Sequence, residues 1–187
     1  MLNMEKCPGM LISSARTLER SASSEVYYVL TELLDYDNVK AEPLKDISGL
    51  SIATFKEDPI ITVKTIKKLI EEDSSILRFT LKLVPFQYRV LTELENLENA
   101  AESLSKQIND TDTWKINLRR RHTILQREDI ITSFASKITK GKVMLDNPIY
   151  YIVIEILGKW TYLALTSIPD LSMSKYRSDE SEDDFTF

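Results

Sequence analysis

Trp114-Lys115-Ile116-Asn117-Leu118-Arg119-Arg120-Arg121 alternates apolar and polar side chains with period two. On a strand, Trp114, Ile116 and Leu118 face a core, while Lys115, Asn117, Arg119 and Arg121 face away from it. Downstream, Arg127 to Ile138 has a helical stripe of Ile130, Ile131, Phe134 and Ile138, with Glu128 and Asp129 in the first turn, where the helix dipole favours acids. Val143 to Leu145 and Ile149 to Leu157 read as strands. The run Ile152-Val153-Ile154-Glu155-Ile156-Leu157 is nearly all apolar, as in a central strand covered on both faces. Gly158-Lys159 suits a two-residue hairpin, and Trp160 to Thr166 returns. Upstream, Leu91, Leu94, Leu97, Ala101 and Leu104 mark a helix whose other side carries Glu93, Glu95, Glu98 and Glu102, read as a solvated face. Strand, helix, strand and hairpin together make an α/β sheet.

The first 85 residues follow a different order. Met10 to Ser13 reads as a strand and Thr17 to Leu34 as an amphipathic helix, with Asp35-Tyr36-Asp37-Asn38 as its stop. Val39 to Leu44 and Leu50 to Phe55 are two short strands. Asp58 caps a second helix with Pro59 at its first position, and Phe79 to Val84 closes the unit as a strand. This β-α-β-β-α-β order is the ferredoxin-like pattern. The fold class expected is mixed α/β (α+β). The domains expected are 1–88 (ferredoxin-like), 89–177 (α/β) and an acidic disordered tail, 178–187.

The formal net charge of -5 conceals a segmented distribution. Residues 1–110 hold 13 Lys and Arg against 18 Asp and Glu, residues 111–177 hold 11 against six, and residues 178–187 hold five acids and no base. A basic segment between acidic ones is an electrostatic footprint for a polyanion. Lys115, Arg119, Arg120, Arg121, His122 and Arg127 are its centre, and Lys137, Lys140 and Lys142 follow at the end of the next helix. Alternate strand residues lie about 6.6 Å apart, close to the spacing of successive phosphates, and arginine's planar fork suits a phosphate. The alternative is a solvated face with weak salt bridges.

Catalytic signals are poor. One cysteine and one histidine make a metal centre improbable and exclude an internal disulfide. Cys7 has no nearby activator, and His122 reads as a polar loop residue. Gly141 reads as a helix C-terminal glycine. No phosphate-binding glycine loop, nucleophile elbow or metal-binding motif occurs. The expectation is therefore no catalysis, no cofactor, no metal and no small-molecule substrate. No apolar run is long enough to span a membrane and no signal peptide is read, so a cytoplasmic location is expected (nuclear or nucleolar in a eukaryote).

Several blocks in order carry a resemblance: Trp114 to His122, Arg127-Glu128-Asp129-Ile130-Ile131, Gly141-Lys142-Val143-Met144-Leu145-Asp146-Asn147-Pro148, Ile154-Glu155-Ile156-Leu157-Gly158 and the closing Ser172-Met173-Ser174-Lys175-Tyr176-Arg177. They resemble the THUMP RNA-binding domain. More narrowly, they resemble the archaeal and eukaryotic THUMP proteins that assist the tRNA cytidine acetyltransferase. The resemblance covers residues 91–177. It implies a ferredoxin-like neighbour that helps to hold the tRNA acceptor end; in many relatives a methyltransferase, thiouridine synthase or deaminase domain is fused to the pair, and none is expected within these 187 residues. It also implies an adaptor role, presenting tRNA to a separate acetyltransferase that makes N4-acetylcytidine. Arg119, Arg120, Arg121, Arg127, Lys140 and Lys142 would be the contacts, with Lys175 and Arg177 added from the closing block. The alternatives are an RNA-modifying enzyme with an unrecognised site and a protein-interaction module.

Overall fold

The computed structural model describes residues 4–177 and contains nine strands and four α-helices within them, a mixed α/β fold. Two compact units divide the chain. One comprises Phe86–Pro169 with the residues up to Cys7, and the other Pro8–Pro85 with the residues from Asp170 onward. The residues up to Cys7 and those from Asp170 onward thus each belong with the stretch that is not next to them in sequence. The tail over 178–187 lies outside the described residues.

In the Pro8–Pro85 unit, β1 (Glu5–Ser14, begun in the other unit) pairs antiparallel with β3 (Leu50–Thr54), which pairs antiparallel with β2 (Lys40–Pro43). β1 also neighbours β4 (Thr80–Leu91), giving the order β2-β3-β1-β4 of a ferredoxin-like sheet. Helix α1 (Glu19–Tyr28) runs into a π-helical turn over Val29–Leu33, and Ala22, Val26, Val29 and Leu30 are fully buried. Helix α2 (Pro59–Glu72) starts as its sequence dictates: the Asp58 carboxylate accepts from the Ile60 and Ile61 amides at 2.7 and 3.1 Å. A short strand, β9 (Leu171–Ser172), returns to pair with Lys82 and Leu83.

β1 starts five residues before its expected beginning, and the Pro8 carbonyl accepts from the Phe55 amide. β4 runs seven residues past its expected end. Pro85 sits between two separate pairings on β4, Lys82–Leu83 with β9 and Tyr88–Leu91 with β8.

The Phe86–Pro169 unit contains α3 (Leu94–Ser105), β5 (Thr113–Arg121), α4 (Arg127–Ser136), β6 (Lys142–Val143), β7 (Tyr150–Leu157) and β8 (Trp160–Thr166). β5 lies between β6 and β7, parallel to both, and β7 pairs antiparallel with β8. α3 and α4 cover one face of this sheet. Leu97 and Leu104 from α3, Ile130 and Phe134 from α4, Trp114 and Leu118 from β5, and Ile152, Ile154 and Ile156 from β7 form one core. Full burial of each such side chain contributes about 1.5–3 kcal/mol. The period-two reading of β5 therefore holds.

Gly158 (φ +60°) makes the β7–β8 turn. Gly141 is five residues past the end of α4, so it is not a helix cap. It turns the chain into β6 at φ +71°, where an added Cβ would meet the Asp112 carbonyl at 2.7 Å.

Candidate nucleic-acid interface

The basic residues of the Phe86–Pro169 unit gather at the two ends of β5, about 26 Å apart for eight strand steps. At the carboxyl end stand Arg119, Arg120, Arg121 and His122, with Arg127 at the start of α4. Arg119, Arg120, His122 and Arg127 are exposed. Arg120 donates to the Leu125 carbonyl and Arg127 to the Leu118 carbonyl, each at 3.0 Å. These two bonds brace the loop between β5 and α4 from either side. Among the described residues neither guanidinium has a carboxylate partner. His122 holds a left-handed backbone (φ +54°) just past the strand end. The local acids are Glu128 and Asp129, both exposed, in the first turn of α4.

Arg119 and Arg121 share a face, as alternation requires, but that face holds a carboxylate which sequence reading passes over. Glu155 on β7 lies directly beside Arg119 in the parallel register. It is 4 % exposed, and its oxygens lie 3.1 Å from Arg121 and 4.0 Å from Arg119. One buried carboxylate thus anchors two guanidiniums. The available signal was a lone acid in an otherwise apolar strand, since a buried Glu requires a cation or hydrogen-bond donors beside it.

At the amino end of β5, Lys140 and Lys142 are exposed. The Trp114 indole donates to the Lys140 carbonyl at 3.0 Å and the Lys142 amide to the Asp112 carbonyl at 2.9 Å, which fixes the backbone beneath both lysines. Lys115 turns to this end and donates to the Leu145 carbonyl at 2.9 Å. Lys137 is compensated, with Glu98 at 3.5 Å and Glu102 at 3.6 Å, so part of the acidic face of α3 is paired rather than merely solvated. Lys175 and Arg177 belong to the other unit. Lys175 is exposed, while Arg177 donates to the Leu77 and Thr80 carbonyls at 2.7 and 2.6 Å. The basic residues read from the sequence therefore form two groups along β5 and a third on the Pro8–Pro85 unit.

On β8 and β4, Tyr162 and Arg89 continue the row that begins with Arg119 and Glu155. Arg89 pairs with Glu5 at 2.7 Å and lies 4.5 Å over the Trp160 ring. Its guanidinium holds the Glu5 carboxyl below the usual range. Burial pushes both the Cys7 thiol and the Tyr162 hydroxyl up, so Cys7 has an unactivated thiol, as expected. Among the described residues no group of three or more His, Cys, Asp or Glu could hold a metal, and no helix is long and apolar enough to cross a membrane.

Two helices on one face of a mixed sheet, with arginines at a strand end, make this unit an α/β domain with a basic edge. Residues 92–166 match the THUMP domain, so the chain contains one. No curated protein matches the chain. Several solved structures share its fold. The PH1313 protein of Pyrococcus horikoshii is 15 % identical with a TM-score of 0.60, over 88 % of this chain and 55 % of that one. A 4-thiouridine synthetase solved as an RNA complex with bound ATP is 10 % identical with a TM-score of 0.53, over 88 % and 42 %. A predicted N6-adenine-specific DNA methylase from Listeria monocytogenes is 13 % identical with a TM-score of 0.52, over 86 % and 40 %. The chain thus spans about half the length of the structures it matches or less. These likenesses overturn the expectation that the chain is not an enzyme: its fold recurs within a synthetase and a methylase.

Proposed function

We propose that this chain holds tRNA during its modification, using the carboxyl end of β5 as the principal contact. The observation that carries this reading is the pair Arg120 and Arg127. Both are exposed, both are braced on main-chain carbonyls, and neither is neutralised by a carboxylate among the described residues. Each spends one nitrogen on the protein and keeps the rest of its fork for a phosphate. Arg119 and Arg121, oriented by Glu155, extend the same edge. Lys140 and Lys142 supply a second contact, farther along the strand than one phosphate step. The THUMP domain and the likeness to a synthetase solved with RNA support RNA binding in modification. The physics is phosphate neutralisation and recognition of shape rather than base reading.

The sequence resemblance gives the finer reading: tRNA is presented to a separate acetyltransferase for N4-acetylcytidine formation. Nucleoside mass spectrometry of tRNA from cells lacking this protein tests that part. Loss of N4-acetylcytidine is expected. Unchanged acetylcytidine, or loss of a different modified nucleoside in its place, would contradict it.

A further inference from the structure

The sheet of the Phe86–Pro169 unit ends on β6. This strand pairs with β5 on one side, and no strand among the described residues lies on its other side. The pairing with β5 is well made: the Lys142 and Met144 amides donate to the Asp112 and Trp114 carbonyls, each at 2.9 Å. Successive strand residues aim their main-chain groups at opposite edges, so the N–H and carbonyl of Val143 point outward. Around them Val143, Met144 and Leu145 are 61 %, 44 % and 67 % exposed. Natural sheet edges are usually blunted by charge, and three successive apolar side chains here leave this one sticky.

The ladder also fixes which way the side chains face. Val143 is in register with Trp114, so it lies on the side of the sheet that α3 and α4 cover. Lys142 is in register with Thr113 and lies on the opposite side. Lys140 and Lys142 are exposed and have no ion pair among the described residues. Two acids lie near them in sequence. Asp112 accepts from the Asn109 amide at 2.7 Å, which leaves Asp146. The edge is therefore apolar toward the helices and cationic on its other side.

We propose that β6 is a docking edge for an extended segment of a partner protein, one that alternates apolar side chains with carboxylates. Its main chain pairs with the outward N–H and carbonyl of Val143. Its apolar side chains pack on Val143 on the helix side, and its carboxylates meet Lys142 on the other. In such strand addition the main-chain bonds supply affinity and the alternate side chains supply specificity. A second copy of this chain fits poorly, since β6 against β6 would set the lysines of both copies side by side. RNA also fits poorly, because the run Val143–Leu145 offers no ring for a base to stack on. The proposal goes beyond the RNA reading and does not depend on it, sharing with it only Lys140 and Lys142.

The test titrates the full chain with a peptide of about eight residues alternating valine and glutamate, followed by amide NMR. Shifts centred on Val143 and slower exchange of its amide are expected. A peptide alternating valine and lysine should bind roughly tenfold more weakly. Val143→Pro removes the outward N–H and leaves the Lys142 and Met144 bonds to β5 in place, so the fold should survive. It should weaken the glutamate peptide roughly fivefold, the worth of one hydrogen bond. Val143→Lys with Leu145→Lys should abolish peptide binding without lowering tRNA affinity. No shift at Val143, equal binding of the two peptides, or undiminished binding by the proline variant overturns the proposal. Loss of tRNA affinity in the double lysine variant assigns the run to RNA and overturns it as well. So does protection of the Val143 amide without peptide, whether it vanishes on dilution (a second copy) or on deletion of 178–187 (this chain's own acidic segment). Peptide binding without tRNA binding fails the RNA reading alone.

Discussion

Replacing Arg119 and Arg121 together with alanine is expected to destabilise the protein by about 3–5 kcal/mol. The loss comes from Glu155 rather than from the arginines. Its side chain is 5 % exposed on β7, while those of Arg119 and Arg121 are 43 % and 31 % exposed. Without them a buried carboxylate keeps its desolvation cost and loses both cations. Arg119→Ala alone should cost no more than about 1 kcal/mol, because that pair is long and wet. Arg121→Ala should account for more, because its 3.1 Å contact is a charge-assisted hydrogen bond. Adding Glu155→Gln to the double variant should restore most of the loss, since a neutral amide tolerates burial far better than a carboxylate that has lost two cations. Urea unfolding of the four variants and the wild type checks this. A double variant as stable as the wild type would show that Glu155 does not depend on its two neighbours. Loss of RNA affinity in the plain double variant would confound binding with folding, so RNA measurements on these residues belong in the Glu155→Gln background.

The second large effect is expected at Arg120 and Arg127. Arg120→Gln with Arg127→Gln should lower tRNA affinity at least tenfold at low salt. It should also flatten the dependence of log K on log salt by about 1.5, as two phosphate contacts are lost. The two carbonyl bonds they make are worth about 1 kcal/mol each, so the fold should survive. Arg120→Lys with Arg127→Lys keeps the charge and loses the fork. It should retain the salt slope while weakening the affinity. Binding curves at several salt concentrations separate these outcomes. A glutamine variant with wild-type slope and affinity would remove this end of β5 from the interface.

Local rules recovered much of this architecture. Alternation in Trp114–Leu118 placed the core face of β5, Asp58-Pro59 placed the start of α2, and Gly158-Lys159 placed the β7–β8 turn. What escaped depends on partners distant in sequence. Pro8 and Pro85 each lie inside a strand, β1 and β4, carried through by pairing that the local sequence does not encode. The π-helical turn at Val29–Leu33 leaves the apolar spacing of α1 intact and so gives no local sign. The site was legible as composition and not as arrangement. Arg119 and Arg121 share a face because of period two. Their common anchor is a residue 34 positions past Arg121, and only the parallel register of β5 and β7 brings it there. Lys137 was counted as available charge, but Glu98 and Glu102 on another helix meet it.

Equilibrium binding of the wild-type chain to unmodified tRNA, followed from about 50 to 200 mM salt, is the decisive measurement for phosphate neutralisation by this chain. Measurable binding at low salt is expected, with a linear fall of log K against log salt and a slope of about -3 for four neutralised phosphates. No binding at the lowest salt, or affinity that does not change with salt, would contradict it.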